Sequence, residues 1–151
     1  MYTIKIIAVG NLKEKYLKDA CNEYLKRMQR FAQVQVIEIK EQFGPRALET
    51  EAENILKHLS PADHVIALCV EGKQMESTEF ATHIQNITTY GKSSIAYVIG
   101  SSEGLSPAMK QRADLRLGFS KMTFPHQLMR VIPLEQIYRS EKIRSGEEYH
   151  K

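Results

Sequence analysis

The stretch HVIALCVEGKQMESTEFATHIQNITTYGKSSIAYVIGSSEG, residues 64–104, decides the fold. It opens on a near-continuous apolar run, His64 to Val70, and its second such run is Ser94 to Ile99. A strand with one wet face alternates apolar and polar residues, whereas one covered on both faces reads as unbroken hydrophobics. Both runs therefore predict strands buried on two sides. Between them Phe80, Ala81, Ile84 and Ile87 recur at helical spacing, with Ser77 placed to cap the helix. Strand, helix and strand in this order make a β-α-β unit, the connection that parallel strands need. Glu71-Gly72-Lys73 reads as a turn after the first strand, and Gly100-Ser101-Ser102-Glu103-Gly104 as the loop leaving the second.

The same pattern extends outward. Tyr2 to Val9 is β-branched and strand-like, and Gly10-Asn11 ends it. From Leu12 to Met28 apolar residues recur at 16, 17, 20, 21, 24, 25 and 28, the stripe of a one-sided helix. Val34 to Ile39 is a second strand, Gln42 to Arg46 a turn, and Leu48, Ala52, Ile55, Leu56 and Leu59 mark another helix. Beyond the glycine loop, Ser106-Pro107 suits an N-cap followed by proline at the first helical position. Leu115 to Phe119 is a last short strand, and a final helix runs from about Pro125 to about Arg144. No repeat or linker interrupts the order. It predicts one α/β domain over residues 1–151, with a largely parallel sheet and helices on both faces.

Composition bounds the function. The chain has 151 residues, 42% hydrophobic and 26% charged, an ordinary globular balance with enough length to bury a core. No apolar run approaches the roughly 20 residues of a membrane span. The opening MYTIKIIAVG is a strand rather than a secretory leader, so a cytoplasmic protein is expected. Cys21 and Cys69 lack metal or C-x-x-C spacing and read as core thiols; the five histidines form no ligand motif, so no metal is expected. Net charge is +3, unevenly spread: +4 over residues 1–30, −5 over 31–109 and +4 over 110–151. If the ends of the chain lie together they form a basic surface suited to a polyanion, nucleic acid above all; otherwise the lysines are simply solvated.

In open parallel sheets, ligands bind beyond the carboxyl ends of the strands. Three strand ends here carry unusual loops: Leu68 to Gly72, Ile99 to Leu105 and Phe119 to Phe124. Glycines there allow backbone N–H and C=O groups to approach a ligand closely. The glycine loop is neither G-x-G-x-x-G nor a phosphate-binding loop, so on its own it reads more as a structural turn than as a ligand site. There is no G-x-S-x-G elbow and no pair of carboxylates at glycosidase spacing. Gln127, Arg130, Glu135 and Arg139 of the last helix read either as a solvated face or as a functional one; the apolar flanks of Arg130 favour a paired charge at an interface.

The segments AVGNLKEKYLKDACNEYLKR, LCVEGK, YVIGSSEGL, FSKMTFPHQLMR, LEQIYR and the terminal YHK resemble, over the whole length, the ribosomal RNA large subunit methyltransferase H family of the SPOUT superfamily. That resemblance implies an α/β fold with a C-terminal trefoil knot and a homodimer. It implies S-adenosylmethionine as cofactor and methylation of N3 of a pseudouridine in 23S rRNA on the assembled ribosome. Carried over by position, it places cofactor contacts at Leu68, Gly100, Phe119, Ser120, Lys121, Met122, Thr123 and Phe124, within the three loops already singled out. The donor carries its own activated methyl group, so neither a covalent nucleophile nor a metal is required. Removal of the N3 proton points to His150 as base or relay, Tyr149 as hydrogen-bond partner, and Glu135. Arg130 and Arg139 are candidates to stabilise the developing anion or hold phosphate.

This chain departs from the family pattern at Ser101, where a second glycine is usual, and at Pro133, which predicts a kink in the last helix. Ser140-Glu141 replaces Ala-Phe, and Ser145 stands where arginine is common. The segment after the second strand is also shorter than usual. Two other readings stand beside the methyltransferase: a divergent paralogue acting on another RNA, and a non-catalytic dimer that binds RNA or ribosome.

Overall fold

In the computed structural model, which describes residues 1–149, five strands share one sheet. They are β1 (Thr3–Val9), β2 (Gln33–Ile39), β3 (Asp63–Gln74), β4 (Ser94–Ile99) and β5 (Leu115–Gly118). Their order is β2-β1-β4-β3-β5 and every pairing is parallel. The helices are α1 (Lys15–Met28), α2 (Ala47–Leu56), α3 (Ser77–Thr89), α4 (Pro107–Arg112) and α5 (Val131–Arg144).

The continuous apolar runs have a simple cause. Successive side chains of a strand point to opposite faces. Ile95, Tyr97 and Ile99 enter one core with Leu17, Met28, Phe80, Ile84, Leu134 and Ile137, from α1, α3 and α5. Ala96 and Val98 enter the other with Ala52, Ile55 and Met109, from α2 and α4. Both faces are covered, so neither register can be polar. Cys21 and Cys69 are buried free thiols, one in each core.

Four local expectations are corrected. Glu71-Gly72-Lys73 does not end its strand: β3 continues to Gln74 and bulges between Leu68 and Lys73 where it pairs with β5. Such a bulge bends its strand locally, and bulges recur beside binding sites. The cap of α3 is Glu76 rather than Ser77, in a reciprocal capping box with Glu79; the Ser77 hydroxyl instead donates to Gln136 of α5 at 2.7 Å. β5 ends at Gly118, leaving Phe119 in the loop. The last helix does not start at Pro125: a 3-10 turn, Leu128–Arg130, precedes α5. Pro133 is then the third residue of α5, where a missing N–H leaves no bond unmade, and the Met129 carbonyl it would strike lies in the preceding turn. The break in helical geometry falls at that junction instead of inside α5.

Ser140 and Glu141 point inward. The Ser140 hydroxyl donates to the Ile137 carbonyl at 2.6 Å, and Glu141 is 4% exposed. Tyr2 donates its hydroxyl to Glu141, and Arg144 forks onto both carboxylate oxygens at 2.8 and 2.9 Å. Arg144 also donates to Gln85 and Thr88 of α3 and lies over the Tyr2 ring. Burial pushes the Glu141 carboxyl above its ordinary range, opposed by the Tyr2 hydroxyl and the guanidinium. One buried network thus ties the N-terminus, α3 and α5 together.

Two substitutions probe this frame. Glu141→Ala leaves Arg144 half-enclosed without its partner and should cost about 3 kcal/mol in urea unfolding. Gly118→Ala places a Cβ 2.8 Å from the Gly72 carbonyl oxygen and 3.0 Å from that of Cys69. It should lower stability by about 2 kcal/mol, as overpacking does; a wild-type midpoint for either would contradict these packing assignments.

Candidate cofactor site

The helices after β3 and β4, α3 and α4, leave to opposite faces of the sheet. A crevice opens at the carboxyl ends of such neighbours. Here it is a cavity of about 420 Å³ lined by all three loops: 68–71 at the end of β3, 99–105 after β4, and 119–124 with His126 and Met129 after β5.

Glycine makes the convergence possible. A Cβ on Gly100 would stand 2.4 Å from the Gly104 carbonyl oxygen, and one on Gly72 would stand 2.7 Å from the Leu117 backbone. The 101–104 loop closes as a tight turn, with Gly104 N–H donating to the Ser101 carbonyl at 2.9 Å and Gly104 at φ +82°. Only glycine takes that conformation without strain. Ser101, the departure from a second glycine, is accommodated: it is buried and its hydroxyl accepts from the Glu103 N–H.

The lining is mixed. Leu68, Ile99, Leu105, Leu117, Phe119 and Met122 supply apolar surface, while Ser101, Ser102, Ser120 and Thr123 supply hydroxyls beside the loop backbone. Lys110 donates to Glu71 at 2.6 Å, and that ammonium holds the Glu71 carboxyl below its ordinary range. Burial pushes the Cys69 thiol up, so it lines the cavity as a hydrophobe rather than a nucleophile.

Of the cofactor residues expected from sequence, Leu68, Gly100, Phe119, Ser120, Met122, Thr123 and Phe124 line this cavity, and Lys121 does not. Cys69, Val70 and Glu71, on a strand end already singled out, line it too. Lys110, Leu117, His126 and Met129 join it from outside the three loops, and nothing in the local sequence marks Lys110 or Met129.

Among the described residues, the expected catalytic side chains Glu135, Arg139, Tyr149 and Arg130 do not line the cavity. Glu135, Arg139 and Tyr149 form their own cluster: Tyr149 donates to Glu135 at 3.1 Å, Arg139 donates to Glu135 at 3.1 Å, and the guanidinium lies 4.8 Å from the Tyr149 ring centre. Burial and the Glu135 carboxylate push the Tyr149 hydroxyl up to about 12, so it is a hydrogen-bond donor at neutral pH. Arg130 is 8% exposed and donates to Glu38 and to the Gly10 carbonyl, both at 3.1 Å. Its flanking hydrophobics therefore reflect a pairing inside the protomer. His150 and Lys151 lie outside the described residues.

The two basic ends of the chain do meet, because α1 packs against α5. There Arg27 lies 5.4 Å over Tyr24 and 5.6 Å over Tyr138, and Arg30 4.6 Å over Phe31. Elsewhere His64 and His83, far apart in sequence, place their Nε2 atoms 3.2 Å apart. Among the described residues no group of three histidine, cysteine or acidic side chains is placed to hold a metal, and no helix is long and apolar enough to cross a membrane.

Known proteins were compared with this chain. A ribosomal RNA large subunit methyltransferase H from Bacillus thuringiensis subsp. konkukian (strain 97-27) is 50% identical to it, covering 98% of this chain and 99% of the relative. A protein of the same name from Bacillus pumilus (strain SAFR-032) is 49% identical over the same shares. The solved structure of a probable methyltransferase from Bordetella pertussis Tohama I matches the fold, with a TM-score of 0.62 at 11% identity over 91% of this chain and 93% of its own. The family model described as predicted SPOUT methyltransferase matches residues 2–150. With half its residues shared across nearly the full length, and with the expected loops gathered into one cavity, the chain belongs to the SPOUT methyltransferase family.

Proposed function

We propose that this protein methylates N3 of a pseudouridine in 23S rRNA on the assembled ribosome, using S-adenosylmethionine bound in the cavity between the carboxyl ends of β3, β4 and β5. The observation that carries the reading is the meeting of three glycine-dependent loops in one half-apolar cavity, in a chain half identical to methyltransferases of that name. The cofactor supplies an activated methyl group, and the protein's task is alignment and proton removal. Leu68, Phe119 and Met122 suit the apolar parts of the donor, and the backbone around Gly100 and residues 119–124 suits its polar edge. Lys121, outside the cavity lining, remains a candidate contact from the same loop.

Homodimerisation belongs to this proposal, as does the trefoil knot of the family, and so does a cytoplasmic setting. The support for a dimer is chemical. Tyr149, Glu135, Arg139 and Arg130 lie away from the cavity of their own protomer, so they act on a base held there only if a second protomer presents them. In that arrangement Tyr149 orients Glu135, Arg139 holds phosphate or the developing N3 anion, and His150 takes the proton; Arg130, buried against Glu38 and the Gly10 carbonyl, is not presented for that role. The exposed basic and aromatic C-terminal end of α1 suits an RNA backbone.

Calorimetry tests the cofactor assignment. Wild-type protein should bind S-adenosylmethionine, and Gly100→Ala, whose Cβ would strike the Gly104 carbonyl, should weaken binding at least about tenfold, a cost of about 1.4 kcal/mol. No binding by the wild type would return the reading to a non-catalytic RNA-binding dimer. Mass mapping of 23S rRNA from a strain lacking the gene, with and without its restoration, tests the target; an unchanged pseudouridine would point to another RNA. His150→Ala should lower the rate at saturating cofactor by about 100-fold, as loss of a general base does; an unchanged rate would remove His150 from the chemistry.

A further inference from the structure

Among the described residues, Lys110 is the only lysine or arginine that lines the cofactor cavity. Its Nζ donates to Oε1 of Glu71, another lining residue, at 2.6 Å. The pair joins α4 to the end of β3. Both partners remain open to water: the Glu71 side chain is 57% exposed and that of Lys110 30%. An ion pair so placed contributes little stability, because water screens it and its long side chains lose freedom to hold it. It is a poor brace between β3 and α4. What it does supply is one positive and one negative group, side by side, at the solvent-facing edge of the cavity.

The other polar groups of the lining do not offer this combination. Glu103 brings a second carboxylate from the 101–104 turn, and His126 an imidazole. Ser101, Ser102, Ser120 and Thr123 bring neutral hydroxyls. Arg116 of β5 acts on the Glu71 carboxylate from outside the lining. The charges of opposite sign that meet in the cavity are therefore those of Glu71 and Lys110.

We propose that Glu71 and Lys110 receive the α-amino-acid end of the cofactor, the Lys110 ammonium taking its carboxylate and the Glu71 carboxylate its ammonium. This rests on the proposed function, which puts S-adenosylmethionine in the cavity. An α-amino acid carries both charges on one carbon, so its opposite signs lie as close together as those of the protein pair. Its arrival exchanges one open ion pair for two, and each protein charge stays matched throughout. Charge-assisted hydrogen bonds of this kind are the strong ones. The apolar wall of Leu68, Phe119 and Met122 recognises other parts of the donor, while the pair selects a zwitterionic tail. A tail held at both charges also restrains the sulfonium it carries, as alignment with an acceptor requires.

Calorimetry of the full chain with S-adenosylhomocysteine and with methylthioadenosine isolates the contact. Both ligands carry adenosine and a thioether, and only the first carries the amino-acid end. The wild type should bind S-adenosylhomocysteine at least about tenfold more tightly. Lys110→Met and Glu71→Gln should each weaken it about tenfold, while methylthioadenosine affinity moves by less than about twofold. Decarboxylated S-adenosylmethionine assigns the two charges: Lys110→Met should bind it as the wild type does, and Glu71→Gln more weakly. Equal loss of S-adenosylhomocysteine and methylthioadenosine in the variants would reduce the pair to a structural brace. No loss of either would put the amino-acid end elsewhere in the cavity. Each of these results overturns the proposal and leaves the proposed function standing. A wild type that binds none of the three ligands would overturn the proposed function and this subsite with it.

Discussion

Backbone packed on backbone at the ends of β3, β4 and β5 is the constraint on which the rest of this structure depends. Gly118 lies against the carbonyls of Gly72, Cys69 and Val70, and Gly100 lies against that of Gly104. Side chains at these points would overlap the opposing carbonyls and force the strand ends apart. Their absence lets β5 pair with β3 on both sides of a bulge and lets three loops close on one volume. Specificity in such a cavity comes from peptide groups held in fixed positions, which cost no reorganisation when a ligand arrives.

A second constraint seats the last helix. The Glu141 carboxylate gathers Tyr2 and Arg144, and Arg144 reaches on to α3. The network makes α5 part of the core of its own protomer, although its sequence departs there from the family pattern. Ser140 and Glu141 therefore alter the interior of the domain rather than a partner surface. Tyr149, Glu135, Arg139 and Arg130 are positioned from this seated helix and its flanks, away from the cofactor cavity.

The protein is electrically divided. The basic ends of the chain meet at α1 and α5, where arginines lie over aromatic rings, while the middle of the chain is acidic.

Sequence alone determined the β-α order, the parallel sheet covered on both faces, and the three loops that meet in the strand-end cavity. Each of these is written in local patterns: unbroken apolar runs, helical stripes, and glycines at strand ends. The last strand was legible only approximately, since nothing local says that β3 passes through Glu71-Gly72-Lys73 and bulges. Tertiary structure alone decided the strand order and the partner of each buried charge. It also decided that Lys110 and Met129 join the cavity and that Glu76 caps α3. These depend on contacts between residues as far apart as Tyr2 and Glu141, and a one-dimensional pattern carries no record of which distant groups the packing of the sheet will bring within reach.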